Sequence, residues 1–440
     1  MLSVTWAYVF LGAATLLCGA MGTLLMKVQF SLSSTGTEPC LGDPSTNTTT
    51  LFCPIHKPWF GVLQMKIAMT LCLIYLVVRQ KVTGKPYLES PIFKRKYFGE
   101  KFMPQPRTYE ERRTLLQQAY DGPSWRTMLL LVVPALLDLI TTILAFMGLL
   151  YVPASVYQMS NGAVLIFSAF IAMRFMGRDL YCYQIMSIVL VTVAVVVFSV
   201  AGILGRDDHA ITPFEIYTNF TQAHQVPTIA VTDSDVHQAI GMVFILLSQI
   251  VLAAQFAVEE HFMVERHVSP LLLVGMEGLW GLVLLGSLVP ILQSTPASDS
   301  VLAQLWHEDF GDTWAKLRSS PTLWWVVLAY MFAIGMYNIA ALYVTKYLSS
   351  IVRSMLEIGR TVGVWVVGLA VYYVLNWTGS NSPGEAWSDW SWVQLFGFVL
   401  LILATLTYKQ TIHFPCVSLY QNERGLPISV QQVVFLGDRR

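Results

Sequence analysis

Ten apolar runs, each long enough to cross a lipid bilayer, determine what this 440-residue chain can fold into. A helix that crosses the hydrocarbon core of a membrane needs roughly 17–25 mostly apolar residues. The runs lie at 4–30, 59–78, 127–150, 155–175, 183–204, 238–263, 270–292, 323–345, 350–374 and 392–408. This pattern predicts an all-α polytopic membrane protein with ten transmembrane helices.

The amino-acid composition supports a membrane protein and argues against other classes. Apolar residues make up 55% and charged residues 12% of the chain, whereas a soluble domain carries about 25% charged residues. Basic residues form no recognisable nucleic-acid-binding module, so no nucleic-acid partner is expected. The first run begins almost at the N-terminus and lacks an A-x-A-like cleavage site, which favours an uncleaved first span.

Charged residues outside the runs are sorted by side of the membrane. The segment 79–126 holds eleven Lys and Arg residues. The four larger loops on the opposite side together carry thirteen Asp and Glu residues and only four Lys and Arg residues. Because cytosolic loops are enriched in Lys and Arg, 79–126 is predicted to be cytosolic. With ten spans, both termini are then cytosolic as well.

Glycosylation sequons and cysteines agree with this orientation. Asn47, Asn219 and Asn376 each begin an N-x-[ST] sequon and fall in loops on the lumenal or extracellular side, where N-glycans are added. Cys40 and Cys53 share the first of these loops and are candidates for a disulfide in an oxidising compartment. The alternative is that both remain unpaired thiols.

Ten helices divide into two five-helix repeats that must insert with opposite orientation, as in many transporters. The expected units are an N-terminal repeat at 1–204 with its basic cytosolic loop at 79–126, a lumenal loop at 205–237, a C-terminal repeat at 238–408 and a cytosolic tail at 409–440. A short match supports the repeat, because helix 4 opens with SVYQ at 155–158 and helix 9 with SIVR at 350–353. Helices 4 and 9 are therefore expected to face each other and line a central cavity.

Three charged residues share one face of the ninth run. At 100° per residue, Arg353, Glu357 and Arg360 fall within an arc of about 60°. Each charge placed in hydrocarbon costs roughly 2.5–3.5 kcal/mol on insertion scales, so this face must look into the protein interior or a wet cavity. The arginines can bind an anionic group of a substrate, or Glu357 can neutralise both in a structural cluster.

Other polar residues in the runs are candidates for the substrate cavity. Asp138 can bind a proton or a substrate cation, or form an ion pair that fixes helix packing. Gln158 and Asn161 share a face of helix 4 and can bind a polar solute, or hydrogen-bond between helices. Lys66 is expected to extend towards the lumenal surface.

Two further carboxylates are candidates, together with Asp138, for proton coupling or gating. Glu277 lies among small residues that also permit close helix packing. Glu259 lies near the cytosolic end of helix 6, where an interface position is the alternative. No Cys/His spacing indicates a metal site, and no P-loop or hydrolase motif is present in the sequence. We therefore expect neither a cofactor nor an enzyme.

Five segments resemble a known family of membrane proteins. They are YQMSNGAVLIF at 157–167, VEEHF at 258–262, MEGLWG at 276–281, VTKYLSS at 344–350 and RSMLEIGRTV at 353–362. They resemble the drug/metabolite transporter superfamily, and within it the EamA-like branch of solute carrier family 35, subfamily F. A more distant similarity is to the chloroquine-resistance transporter family. The resemblance implies a ten-helix inverted-repeat carrier of lysosomal or other endomembranes.

Three functions remain open from the sequence. The first is a secondary active transporter of a small polar metabolite, such as an amino acid, peptide or organic cation, by alternating access with Asp138 or Glu277 coupling proton movement. The second is a nucleotide-sugar antiporter of endomembranes in which Arg353 and Arg360 hold the diphosphate. The third is a non-transporting scaffold whose segment 79–126 binds a cytosolic partner. Either a monomer or a homodimer is compatible with the sequence.

Overall fold

The computed structural model describes residues 2–37, 52–55, 57–83, 124–151, 162–175, 182–204, 232–266, 268–295, 306, 308–374 and 387–408. Several expected features lie outside these residues: the sequons at Asn47, Asn219 and Asn376, the thiol of Cys40, the amides Gln158 and Asn161, most of the basic loop, most of the loop 205–237 and the tail 409–440.

The described chain is almost entirely helical. The helices are α1 (Leu2–Ser31), α2 (Pro58–Thr83), α3 (Trp125–Leu130), α4 (Val132–Tyr151), α5 (Ala163–Phe175), α6 (Cys182–Leu204), α7 (Thr232–Val264), α8 (Pro270–Ser294), α9 (Phe310–Ser319), α10 (Pro321–Tyr347), α11 (Ser350–Tyr373) and α12 (Ser391–Tyr408). Two short antiparallel strands, β1 (Ser33–Thr35) and β2 (Phe52–Pro54), pair between α1 and α2.

Seven segments of the described helices are long and apolar enough to cross a membrane. They are Val9–Met26, Trp59–Thr83, Trp125–Ala145, Ile240–Val264, Pro270–Ser294, Pro321–Tyr347 and Ser391–Tyr408. The prediction of an all-α, multi-pass membrane protein is therefore confirmed at this level. The count of ten spans, the inverted repeats and the cytosolic termini remain predictions.

Local sequence signals explain where several helices begin. Ser269 accepts a hydrogen bond from the backbone N–H of Leu272 at the start of α8, and Pro270 occupies the first turn. Ser320 and Pro321 play the same parts for α10. A serine side chain satisfies a donor that the first helical turn leaves unpaired, and proline at this position loses no helical hydrogen bond. The two Ser–Pro pairs therefore determine where α8 and α10 begin.

Glycines bring two pairs of helices into close contact. A Cβ atom added at Gly275 of α8 would lie 2.7 Å from the backbone nitrogen of Leu73 in α2, and one at Gly278 would lie 2.5 Å from that of Thr70. A Cβ atom at Gly148 of α4 would lie 2.9 Å from the carbonyl oxygen of Gly241 in α7. Small residues allow such close backbone approach in membranes, where packing drives helix association.

A buried ionic cluster ties α9 to β1 and to the start of α2. Asp312, which is fully buried, accepts hydrogen bonds from the backbone N–H of Thr37 at 2.8 Å and forms salt bridges with Lys316 at 2.7 Å and Lys57 at 3.5 Å. Lys57 also lies 3.9 Å from the buried Glu308. This extramembrane cluster fixes the connection between α8 and α10 against the connection between α1 and α2.

Candidate functional site

A buried lysine and an aspartate join α2 to α4. Lys66 Nζ forms a salt bridge with Asp138 Oδ2, and the lysine side chain is 0% exposed. The expectation that Lys66 extends to the membrane surface is therefore wrong. Its stem packs against Gly281 of α8, where a Cβ atom would lie 2.5 Å from Lys66 Cδ. The ion pair compensates charges that would be costly in hydrocarbon if either stood alone.

An amide connects this ion pair to a second one. Gln255 of α7 donates from Nε2 to Asp138 Oδ1 at 3.4 Å and to Glu259 Oε1 at 2.8 Å. Glu259 in turn forms a salt bridge with Arg353 of α11. The result is a continuous chain of polar side chains through α2, α4, α7 and α11. We call Lys66, Asp138, Gln255, Glu259 and Arg353 the central network.

Side chains from neighbouring helices contact the Arg353 guanidinium in addition to Glu259. Its guanidinium Cζ lies 4.0 Å from the centroid of the Phe256 ring, in cation–π contact. Its Nη1 also lies 3.5 Å from Thr345 Oγ1, at the edge of hydrogen-bonding distance. Only 5% of the residue is exposed, and its Nε has no hydrogen-bond partner among the described residues. The guanidinium therefore retains one buried donor.

The neighbouring carboxylate fixes the start of the same helix. Glu260 Oε2 accepts a hydrogen bond from the backbone N–H of Ser350 at 2.9 Å, where α11 begins. Ser349, the N-cap, has φ of 146°, a left-handed conformation that serine rarely adopts. Consecutive acidic residues of α7 therefore hold both the backbone and the first arginine of α11.

A second cluster lies farther along α11. Arg360 Nη2 forms a salt bridge with Glu357 Oε1 at 2.8 Å, and Tyr337 of α10 donates its hydroxyl to Glu357 Oε2. Arg360 Cζ lies 5.5 Å from the centroid of the Tyr337 ring. Gly19 of α1 makes room for this cluster, because a Cβ atom there would lie 2.6 Å from Arg360 Cδ. The Arg360 side chain is 31% exposed, so this cluster is more accessible than the central network.

Glu277 of α8 is buried beside the central network. The residue is 3% exposed and interacts electrostatically with Glu259, Asp138, Lys66 and Arg353. Its Oε1 has no hydrogen-bond partner among the described residues. The amide oxygens Gln255 Oε1, Gln64 Oε1 and Gln29 Oε1 likewise have no partner among the described residues. Since most buried polar atoms in proteins are paired, these atoms are free to contact a water molecule or another bound polar group.

The expected site residues divide into two groups. Asp138, Glu259, Glu277 and Arg353 lie in or beside the central network. The shared face of α11 does not act as one unit, because Arg353 turns to α7 while Glu357 and Arg360 pair with each other.

Sequence reasoning missed Lys66, Gln255 and Tyr337 as members of the site. The sequence did carry a signal for Lys66, because an unpaired lysine inside the apolar run 59–78 is as costly as an unpaired arginine inside the run 350–374. No comparable signal separates Gln255 or Tyr337 from ordinary packing residues.

The charges of this region nearly balance. In their ionised forms, Lys66 and Arg353 contribute two positive charges against three negative charges from Asp138, Glu259 and Glu277. The cluster of Glu357 and Arg360 adds none. Within the described residues, no group of three or more His, Cys, Asp or Glu side chains could hold a metal ion.

Comparisons with known proteins show that the chain is similar to solute carriers. It is 29% identical to solute carrier family 35 member F6 of Homo sapiens over 313 residues, which are 71% of this chain and 74% of that protein. It is 28% identical to the Mus musculus protein of the same name over 314 residues, with the same coverage of each chain. An uncharacterized protein of Schizosaccharomyces pombe is 27% identical over 313 residues, 68% of this chain and 82% of the relative.

Two other comparisons add less. No family model matches the chain. A solved crystal structure resembles it with a TM-score of 0.50 at 10% sequence identity, over 92% of this chain and 98% of the other, which speaks for the fold alone. Over 71% of its length, the chain is thus similar to proteins of solute carrier family 35.

Proposed function

We propose that this protein is a secondary active transporter that moves a small polar metabolite across a membrane by alternating access. The observation that carries the proposal is the central network with Glu277 beside it. Intramembrane ionisable residues that face the bundle interior typically mark a substrate or ion pathway. The unpartnered polar atoms of this region offer a solute the contacts that the protein itself leaves unfilled.

The charges of the region favour a zwitterionic or cationic solute such as an amino acid, peptide or organic cation. Arg353 is bound to Glu259 and Arg360 to Glu357. A diphosphate would compete with the carboxylate already bound to each arginine and would face three carboxylates in and beside the central network. A nucleotide sugar is therefore the less favoured substrate, although the transport assay below tests it directly.

An inverted repeat is part of this proposal, and helix packing supports it. The repeat relates α1, α2, α4, α5 and α6 to α7, α8, α10, α11 and α12, respectively. Under this exchange, the packing of α1 on α10 becomes that of α7 on α4, and the packing of α1 on α11 becomes that of α7 on α5. The pairs α2–α8 and α6–α12 each map onto themselves. Such a correspondence is expected when two five-helix units surround a shared site.

We propose that this conformation of the transporter is closed on the predicted cytosolic side of the membrane. Beyond the ties from Glu259 and Glu260 to α11, Lys346 at the end of α10 donates to the carbonyl oxygen of Val268, next to α8, at 3.2 Å. Among these helices, α10 packs on α7, α8 and α11, and α7 also packs on α11. Within the described residues, the related helices α1, α2, α4 and α5 pack less closely among themselves. This asymmetry supports a gate that opens as the two repeats rearrange.

Proton coupling and location complete the proposal. Asp138, Glu259 and Glu277 are the titratable groups placed to exchange protons during the cycle. The orientation with both termini cytosolic, the glycans at Asn47 and Asn219, and a lysosomal or other endomembrane location remain part of the same proposal.

The test is uptake by the purified protein in proteoliposomes. We expect an imposed proton gradient to drive flux of labelled amino acids, peptides or organic cations, and Asp138→Asn to reduce it strongly. Exchange of nucleotide monophosphate for nucleotide sugar would instead support the antiporter. Absence of flux with every solute class, together with binding of a cytosolic protein by 79–126, would overturn the transporter in favour of a scaffold.

A further inference from the structure

Glu277 differs from the other carboxylates of the region in its partners. Asp138 binds Lys66, Glu259 binds Arg353 and Glu357 binds Arg360. Glu277 forms no such salt bridge among the described residues, and its Oε1 is a buried acceptor without a donor. An unpaired carboxylate in this setting is stable only if it is neutral or if a cation is beside it.

Glu277 lies beside the central network. Glu277 and Gly281 are four residues apart and so share a face of α8, and Gly281 contacts the stem of Lys66. Gln255 links Asp138 and Glu259, the two carboxylates whose charges act on Glu277. Its Oε1, like that of Glu277, has no donor. Glu277 Oε1 and Gln255 Oε1 are therefore two unpaired acceptor atoms close to the same charged side chains.

Charge and donor count decide which chemical group fits. The region carries two positive and three negative charges when every member is ionised, so one monovalent cation neutralises it. An ammonium group brings one positive charge and several N–H donors, and no acceptor. A carboxylate or phosphate would find an unpaired donor in the network only at Arg353 Nε among the described residues, and it would add to the negative charge.

We propose that Glu277 is the shared binding site for a proton and for the ammonium group of the transported solute. When the site is empty of solute, Glu277 is a neutral carboxylic acid. When an ammonium group binds, the acid loses its proton to the aqueous phase and the resulting carboxylate pairs with the ammonium. The exchange balances, with one cation entering and one proton leaving. This inference rests on the proposed transport function and names the substrate class and the coupling residue within it.

The experiment uses the full chain in lipid nanodiscs with butylammonium as the probe and butanol as its uncharged counterpart. We expect butylammonium, and not butanol, to raise the thermal unfolding midpoint and to release protons in weakly buffered solution. Binding should weaken as pH falls, approaching tenfold per pH unit once Glu277 is mostly protonated. Glu277→Gln should abolish both effects, and Glu277→Asp should retain them at altered affinity. The exposed carboxylate variant Glu265→Gln is the matched control and should match wild type.

Three outcomes would overturn the inference: no butylammonium binding by wild type, binding that is independent of pH, or unchanged binding by Glu277→Gln. The aspartate variant guards against a glutamine variant that fails to fold. Solute flux in proteoliposomes separates the two proposals. Flux that persists in Glu277→Gln with the same dependence on the proton gradient would defeat the ammonium site and leave the transporter intact, whereas absence of flux in wild type would defeat the transporter.

Discussion

Arg353 of α11 forms its salt bridge with Glu259 of α7, although Glu357 lies one turn farther along the same helix as the arginine. The partner of Glu357 is Arg360, with Tyr337 as hydrogen-bond donor. The three charges that share a face of α11 are thereby divided between an interhelical tie and a local pair. The interhelical tie joins α7 to α11, two helices of the predicted C-terminal repeat.

Removal of Arg353 should destabilise the protein strongly. Arg353→Gln leaves Glu259 buried without its cation, and such losses cost about 3–5 kcal/mol. The double variant Arg353→Gln with Glu259→Gln should recover part of this loss, because neither charge then remains unpaired. Thermal unfolding in detergent measures both. Arg360→Gln is the comparison, with a smaller expected loss because its pair is partly exposed. Equal losses for Arg353→Gln and Arg360→Gln would contradict the buried tie.

The proposed gate predicts conditional accessibility of Ser350. This residue is 1% exposed where Glu260 and α11 meet. In a cysteine-poor background, Ser350→Cys should be protected from a water-soluble thiol reagent and should become reactive when Glu259→Gln is added. Val264→Cys, on an exposed position at the end of α7, should react in both backgrounds. Labelling followed by mass spectrometry is the measurement. Protection of Ser350→Cys that is unaffected by Glu259→Gln would mean that this tie does not hold the gate.

Two glycines of α8 offer a matched test of the Lys66 site. A methyl group at Gly281 would lie 2.5 Å from Lys66 Cδ, whereas at Gly286 nothing lies within 4 Å. Gly281→Ala should therefore cost about 1–3 kcal/mol through overpacking and reduce transport by displacing the lysine from Asp138. Gly286→Ala should be neutral or stabilising by up to about 1 kcal/mol, because alanine favours helix. Unfolding midpoints and uptake rates measure the two effects, and identical behaviour of the variants would refute the predicted contact.

Two glycines of α1 offer a similar matched test of the second cluster, which consists of Glu357, Arg360 and Tyr337. A Cβ atom at Gly19 would lie 2.6 Å from Arg360 Cδ and 2.9 Å from a ring carbon of Tyr337. At Gly22 the nearest atom, Ile334 Cδ1, is 3.8 Å away, an ordinary contact. Gly19→Ala should lower the unfolding midpoint by several degrees and change the apparent affinity for solute, and Gly22→Ala should do neither. An unchanged affinity in Gly19→Ala would exclude Arg360 and Glu357 from solute binding.

The extramembrane cluster predicts local loss of protection in α9. Asp312→Asn removes the charge that holds Lys57 and Lys316, while its side chain can still accept from Thr37. Hydrogen–deuterium exchange of the amides at 310–319 should increase at least tenfold. The exposed carboxylate variant Asp389→Asn should leave that exchange unchanged. Exchange in Asp312→Asn that equals the wild type would show that the cluster does not anchor this helix.

Hydrophobic run lengths determined the fold class from the sequence alone. A bilayer leaves no water to satisfy backbone groups, so long apolar runs must become helices wherever they pack. The cost of charge in hydrocarbon likewise identified Asp138 and Arg353 as residues that need a polar environment. Both arguments use only local physics, and neither requires knowledge of which helices are neighbours.

Only the tertiary structure decided which charges meet. A charged group in a membrane needs a partner, yet the sequence does not say whether the partner lies one turn away or on another helix. Lys66 pairs with Asp138 in α4, and Arg353 pairs with Glu259 in α7, because helix packing brings residues that are distant in the sequence within reach of one another. Gly281 of α8 makes room for the Lys66 stem. The same packing leaves Glu277 without a salt-bridge partner among the described residues, since Lys66 and Arg353 are bound to other carboxylates.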